Sequence, residues 1–199
     1  MKKTNFLRAL MWVLLFATPA FTFAQSNQYL HFDKVDDFVI LEDAGQYVVN
    51  KTEISMTGWF YTDALAYGQG MMGLRDGSSG FYMIILNNGM IECRFVGSDG
   101  LFEFVAPNYT IVPEVWQHFA FIYDGSAVSL YVNGILAGSN PASGHLENAE
   151  LPFAIGKSTL GAGFNFVYGG RIDEVSLWDK ALSASEVSDL VENEIDDTS

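Results

Sequence analysis

The sequence predicts an all-β protein, a two-sheet antiparallel sandwich with one short helix near the C-terminal end. Three observations lead there. The segment from Trp116 to Ser139 spells out a meander. Residues 116–123 and 126–132 alternate and are rich in Phe, Tyr, Ile, Val and Leu, with Asp124-Gly125 between them, and Asn133-Gly134 sets off a third strand from Ile135. Asp-Gly and Asn-Gly tolerate the positive φ that tight hairpin turns require, so both reversals are fixed locally. Strand-like runs then recur at short spacing along the rest of the chain, separated by Gly, Asn, Asp and Ser, and helical periodicity is almost absent. A dozen short strands at that spacing suit a sandwich.

Taken in order, strands are expected near residues 29–33, 37–41, 53–62, 70–74, 80–86, 90–96, 101–106, 116–123, 126–132, 135–139, 152–157 and 168–179. Asp33, Asp36 and Asp37 fall where the first two strands meet, in residues that form polar turns. Asn87-Asn88-Gly89 marks another hairpin, and Pro141 to Leu151 has no pattern and reads as a loop. Ser183 followed by Glu186 is a capping box that opens a short amphipathic helix through Val187 and Leu190. The acidic end from Glu192 to Ser199 is expected to fray.

Residues 1–24 read as an export signal. Lys2, Lys3 and Arg8 form a positive start, Leu10 to Phe16 an apolar core, and Thr22-Phe23-Ala24 a small-residue cleavage site before Gln25. The apolar stretch is shorter than the ~20 residues a membrane span needs. The Lys-Lys start and the Phe-Ala-Gln end give the signal a bacterial look. The protein is therefore expected to be exported, whether secreted, periplasmic or cell-surface, with no membrane insertion after cleavage. Residues 25–199 are expected to form a single domain, a length that supports a substantial core.

Cleavage removes three basic residues and no acidic one, taking the formal charge from −14 to −17. So acidic a chain argues against nucleic acid or an anionic membrane as partner and is compatible with divalent cations. Cys93 is the only cysteine, so no internal disulfide forms; within a strand-like run it reads as a buried, inert thiol. Asn50-Lys51-Thr52 and Asn108-Tyr109-Thr110 match the N-glycosylation pattern but read as turn and loop residues in a bacterial chain.

Four blocks together resemble a known family. They are LHFDKVDDFVIL, ISMTGWFYTD, WQHFAFIYDGSAVSLYVNGILAGS, and FAIGKS leading to GRIDEVSLWDKALSASEV. Their order and spacing are similar to the laminin G-like, concanavalin A-like lectin-glucanase jelly-roll domain of bacterial secreted proteins, from about Tyr29 to Leu190. The resemblance implies a jelly roll. It also implies a structural Ca²⁺ held where the first and last strands meet, with Asp173 of GRIDEV as the matching ligand and Asp33 of HFDKVDD beside it. Backbone carbonyls would complete the oxygen set that Ca²⁺ requires.

Fold does not fix function, since this architecture carries lectins, adhesion modules, hydrolases and lyases. Hydrolases that resemble it carry an E-x-D-x-x-E strand, whose alternation sets two carboxylates on one face about 5 Å apart for a retaining mechanism. No such strand occurs here. Glu53, Glu92 and Glu103 are single carboxylates, and His118 occupies the family's W-x-H position as a scaffold residue. Trp59, Trp116 and Trp178 fall in framework blocks, where partial burial in the core is the expected role. Candidate ligand contacts are therefore sought on loops: Tyr67, Arg75, Tyr109, Phe164 and Tyr168, with Phe166, Asp76 and Asn108 beside them. The first reading is a non-catalytic module that binds an extracellular glycan or another extracellular ligand. A protein-binding adhesion or matrix domain, part of a longer surface protein, is the second, and a polysaccharide hydrolase or lyase the third.

Overall fold

The computed structural model describes residues 29–66, 68–76, 79–158 and 166–193. The export signal, Tyr67, Phe164 and the acidic tail from residue 194 lie outside the described residues. Twelve strands and one helix follow in order: β1 Leu30–Asp33, β2 Val39–Leu41, β3 Ile54–Thr62, β4 Gln69–Arg75, β5 Gly80–Ile85, β6 Ile91–Gly97, β7 Gly100–Val105, β8 Trp116–Tyr123, β9 Ala127–Val132, β10 Ile135–Pro141, β11 Phe153–Ile155, β12 Gly169–Trp178 and α1 Ala184–Glu192. They form two six-stranded antiparallel sheets, β1-β12-β3-β8-β9-β10 and β2-β11-β4-β5-β6-β7. Each expected strand has its counterpart within a few residues. A 3-10 turn at Ala44–Tyr47 was not anticipated.

The hairpins form for the reasons their residues suggest. Asn133 and Gly134 both take positive φ (49° and 79°), the pair that a tight β9–β10 turn requires. At the β8–β9 turn, Asp124 Oδ1 accepts from the Ser126 and Ala127 amides at 2.9 and 2.8 Å, and Gly125 takes φ 85°. Antiparallel alternation then sends one set of side chains between the sheets. Ile54, Met56 and Phe60 of β3, with Phe119, Phe121 and Tyr123 of β8, meet Phe81, Met83, Cys93 and Phe95 of the second sheet in one buried cluster. Phe81 stacks on Phe121 at 4.2 Å and Phe95 on Tyr123 at 4.3 Å, so aromatic pairs join the two layers. Cys93 is enclosed there, and burial pushes its thiol well above the usual range.

The helix begins at the expected capping box. Ser183 Oγ accepts from the Glu186 amide, and Glu186 Oε2 accepts from the Ser183 amide at 2.8 Å. Lys180, 2.7 Å from the Glu186 carboxylate, and Ser183 hold that carboxyl down at about 2. Val187, fully buried, packs with Ala120, Ile122 and Leu182, and Leu190 leans on the same cluster. The helix therefore covers the outer face of the first sheet, not an edge of the sandwich.

Candidate functional site

Because β3 commits Ile54, Met56 and Phe60 to the core, Ser55, Thr57, Trp59 and Tyr61 emerge on the opposite face. The register with β8 sets Ser55 against Ile122, Thr57 against Ala120, Trp59 against His118 and Tyr61 against Trp116. The helix and Trp178 cover the Ser55–Thr57 end, where Trp178 Nε1 donates to Thr57 Oγ1 at 3.2 Å. It stops at Glu192, where the Asn193 amide and side chain both donate to the Asp189 carbonyl at 3.0 Å. Past this end the face opens into a cavity of about 260 Å³. Trp59 and Trp116 line it from the sheet, Asp173 and Glu174 from β12, and Val191, Glu192 and Asn193 from the helix end.

The acidic wall depends on a break in alternation. In a regular strand Asp173 and Glu174 would face opposite sides. Here the β12–β3 register slips between Asp173 and Ser176, and Glu174 takes φ 48°. Asp173 Oδ1 accepts from the Glu174 amide at 2.9 Å, which holds the turn. Such a bulge re-aims side chains, and this one delivers two consecutive carboxylates to one cavity. It forms where β12 has run past β1, whose last pairing in this direction is Leu30 with Ile172.

Next to the cavity, Trp116 meets Tyr29 and Tyr61 with ring centroids 6.0 and 5.7 Å apart, and the Arg171 guanidinium stands 4.4 Å over Tyr61 and 5.3 Å from Tyr29. Trp59 meets the His118 ring at 5.4 Å. His118 is 2% exposed, and burial lowers its pKa to about 4, so it is neutral at pH 7. Its Nδ1 has no hydrogen-bond partner among the described residues.

The structure redistributes the residues expected at a site. Tyr168 is fully buried; its hydroxyl hydrogen-bonds Thr62 Oγ1 at 2.9 Å and its ring meets Phe32 and Phe60 edge-on. Tyr109 packs edge-on against Phe119, and its hydroxyl donates to Gln117 Oε1. Gln117 also bonds the Val112 and Val115 backbone, so this inward glutamine and Tyr109 together staple the loop before β8. Tyr109 and Tyr168 are thus spent on packing, because burial of an aromatic body with a partner for its hydroxyl outcompetes exposure. Arg75 lies on the other sheet, its guanidinium 4.3 Å over Tyr82. The three do not converge, and Tyr67 and Phe164 lie outside the described residues.

Asp33 and Asp173 are also kept apart. Asp33 pairs with Gly169, four residues up β12 from Asp173, a separation of ~13 Å at strand rise. The Asp33 carboxylate gathers instead with Asp36 and Asp37, with one oxygen from each within 4.8 Å of the others, while Asp173 faces the tryptophan-lined cavity. Part of that cluster is turn chemistry: Asp33 Oδ1 accepts from the Val35 amide at 2.7 Å and Asp37 Oδ2 from the Asp33 amide at 3.1 Å. On the second sheet Arg94 Nε forms ion pairs with both Glu92 and Glu103, the latter at 2.9 Å, so these two carboxylates share one guanidinium.

Trp59 and Trp116 are the residues that a framework reading undervalues. The signal for them was present: each sits one place out of phase with its strand's inward set, Ile54-Met56-Phe60 for one and Phe119-Phe121-Tyr123 for the other.

Two stacked antiparallel six-stranded sheets with a helix across the outer face of one define a jelly-roll sandwich of the concanavalin A type. The chain belongs to the Concanavalin A-like lectin/glucanases superfamily, whose laminin G sequence profile matches residues 33–188. Solved structures share the fold at low identity. A carbohydrate-binding module from the Ruminococcus gnavus IT-sialidase, solved with α2,3-sialyllactose, is 13% identical with a TM-score of 0.63 over 82% of this chain and 98% of its own. A SAP-like pentraxin from Limulus polyphemus is 14% identical with a TM-score of 0.60 over 81% and 80%. Domain 4 of the arabinanase AbnA from Geobacillus stearothermophilus, solved with arabinotriose, is 21% identical with a TM-score of 0.56 over 82% and 81%. No curated protein matches the chain. No helix among the described residues is long and apolar enough to cross a membrane.

Proposed function

We propose that the chain acts after export as a non-catalytic recognition module that binds a glycan in the cavity at the end of α1. One observation carries this reading: two half-buried tryptophans and four polar side chains, Asp173, Glu174, Glu192 and Asn193, share one cavity. Sugar rings are bound by aromatic faces against their CH groups and by carboxylate or amide oxygens against their hydroxyls, and this cavity offers both. Its volume lies just below the roughly 300–1,000 Å³ of drug-sized pockets, which suits a single sugar residue or a chain end. The fold neighbours solved with saccharides support the ligand class, and the pairing of Glu92 and Glu103 with Arg94 favours a structural role for them over acid–base work.

Affinity electrophoresis against a panel of neutral, amino and acidic polysaccharides tests the reading. Retention by at least one of them is expected. Trp59→Ala and Trp116→Ala should each weaken it about tenfold, since an aromatic contact is worth roughly 1.5 kcal/mol. Retention unchanged in both variants would place the site elsewhere, and no retention on any polysaccharide would end the glycan reading.

We further propose that Asp33, Asp36 and Asp37 hold the Ca²⁺ expected from the family resemblance, without Asp173. The proximity of their carboxylate oxygens favours it. Exposed extracellular sites bind Ca²⁺ with Kd near 10⁻⁴–10⁻³ M, so 5 mM Ca²⁺ adds about 1–2 kcal/mol of stability and raises Tm by roughly 2–8 °C over an EDTA control. Asp36→Asn should abolish the increment. An equal Tm with and without Ca²⁺ would sink the proposal.

A further inference from the structure

From the charge lining the cavity we infer that its ligand is a glycan bearing free amino groups, bound with one ammonium group at Asp173 and Glu192. The inference rests on the glycan reading above and adds the ligand's charge. Three acidic residues, Asp173, Glu174 and Glu192, line the cavity, and no basic residue among the described residues does. The final turn of α1 carries no basic residue either, so no side-chain cation offsets the negative end of its dipole there.

The aromatic wall works in the same direction. Indole faces attract cations through the ring quadrupole, more strongly than Tyr or Phe. Neither Arg171 nor His118 offsets the charge of Asp173. Arg171 stands over Tyr61 and Tyr29 and makes no ion pair with Asp173 among the described residues, and His118, behind Trp59, is neutral at pH 7. A chain of formal charge −14 adds a long-range attraction for a polycation. A neutral sugar would bring no counter-charge to the Asp173 and Glu192 carboxylates, which make no ion pair among the described residues. An ammonium group offers three donors and supplies that counter-charge.

The experiment is a tryptophan-fluorescence titration of the full mature chain at pH 6.5 with three matched tetrasaccharides: glucosamine, N-acetylglucosamine and glucose oligomers. The glucosamine oligomer is expected to bind at least tenfold more tightly than the other two, and the preference should fall on raising NaCl from 50 to 500 mM. Glu192→Gln, at an exposed position, should remove most of the preference, as should Asp173→Asn, which keeps the Oδ1 acceptor for the Glu174 amide. Equal affinity for all three oligomers would overturn the amine and leave the glycan reading standing. A preference untouched by both substitutions would overturn the site. Competition by a lysine amide as effective as that by the glucosamine oligomer would overturn the sugar in favour of a protein ligand. No binding of any oligomer overturns the amine; joined to the absence of retention on every polysaccharide, it overturns the glycan reading as well.

Discussion

Gly170→Ala is expected to destabilise the fold by roughly 3–5 kcal/mol, a large share of the 5–15 kcal/mol that holds a typical domain. Two separate penalties meet at this residue. Its φ of 145° lies where L side chains rarely go, which costs about 1–3 kcal/mol. A methyl group there would also stand 2.0 Å from the Tyr61 carbonyl oxygen, part of the backbone and unable to swing aside. Relieving that contact means separating β12 from β3, two strands that also position Arg171 against Tyr61 and Asp173 against Trp59. Gly100→Ala is the control, because Gly100 takes φ 116° in the β6–β7 hairpin with nothing within 4 Å of the added carbon. It should cost only the backbone share, about 1–2 kcal/mol. Urea denaturation of the three proteins decides the matter. Equal losses in the two variants would mean that the close approach of β12 to β3 contributes nothing.

The same pair of strands shows how far the sequence can be read. Strand positions were legible because turn residues and alternation are local: Asn133-Gly134, Asp124-Gly125 and the Ser183–Glu186 box each specify geometry within four residues. The direction of each strand's faces was legible too, once Phe60 or Phe119 is taken as inward. What was not legible is where alternation breaks. Nothing about Asp173-Glu174-Val175 announces a bulge, since the cause is tertiary: β12 outruns β1 at Ile172 and continues along β3 alone. The cavity follows from that bulge together with the point at which α1 ends.

Loop aromatics misled for a related reason. Tyr109 lies in a segment without strand periodicity and Tyr168 at the start of an expected strand, after a glycine-rich loop, which suggested exposure, but Gln117 of β8 and Thr62 of β3 give their hydroxyls partners. The Tyr168–Thr62 pairing, across 106 residues, leaves no trace in spacing. The Asp33–Asp173 expectation failed on register: a family resemblance matches blocks, whereas four residues of offset along β12 separate the two carboxylates.

Acidification from pH 7 to pH 4 is expected to remove on the order of 3 kcal/mol of stability through His118. The unfolded chain binds a proton on this imidazole at about 6.5, whereas burial between the sheet and its neighbours, against Trp59, lowers the folded value to about 4. Well above pH 6.5 neither state is protonated at this imidazole and its contribution is present in full. As pH falls through the window between the two values, the unfolded state takes up a proton that the folded state refuses, at about 1.4 kcal/mol per pH unit. Below pH 4 this contribution levels off. Asp99, held low by the Ser143 and Ser98 hydroxyls, and Asp124, held low by the Ser126 and Ala127 amides, then add losses of their own. His118→Phe should flatten the stability profile between pH 6.5 and 4 and leave the protein more resistant to acid than the parent. His118→Gln provides the second, polar variant in case the phenylalanine fits poorly, and His31 and His145 stay in place as internal controls. Urea midpoints measured at half-unit steps of pH give the slope directly. A slope unchanged in both variants would assign the acid sensitivity to other groups and leave His118 with a packing role beside Trp59.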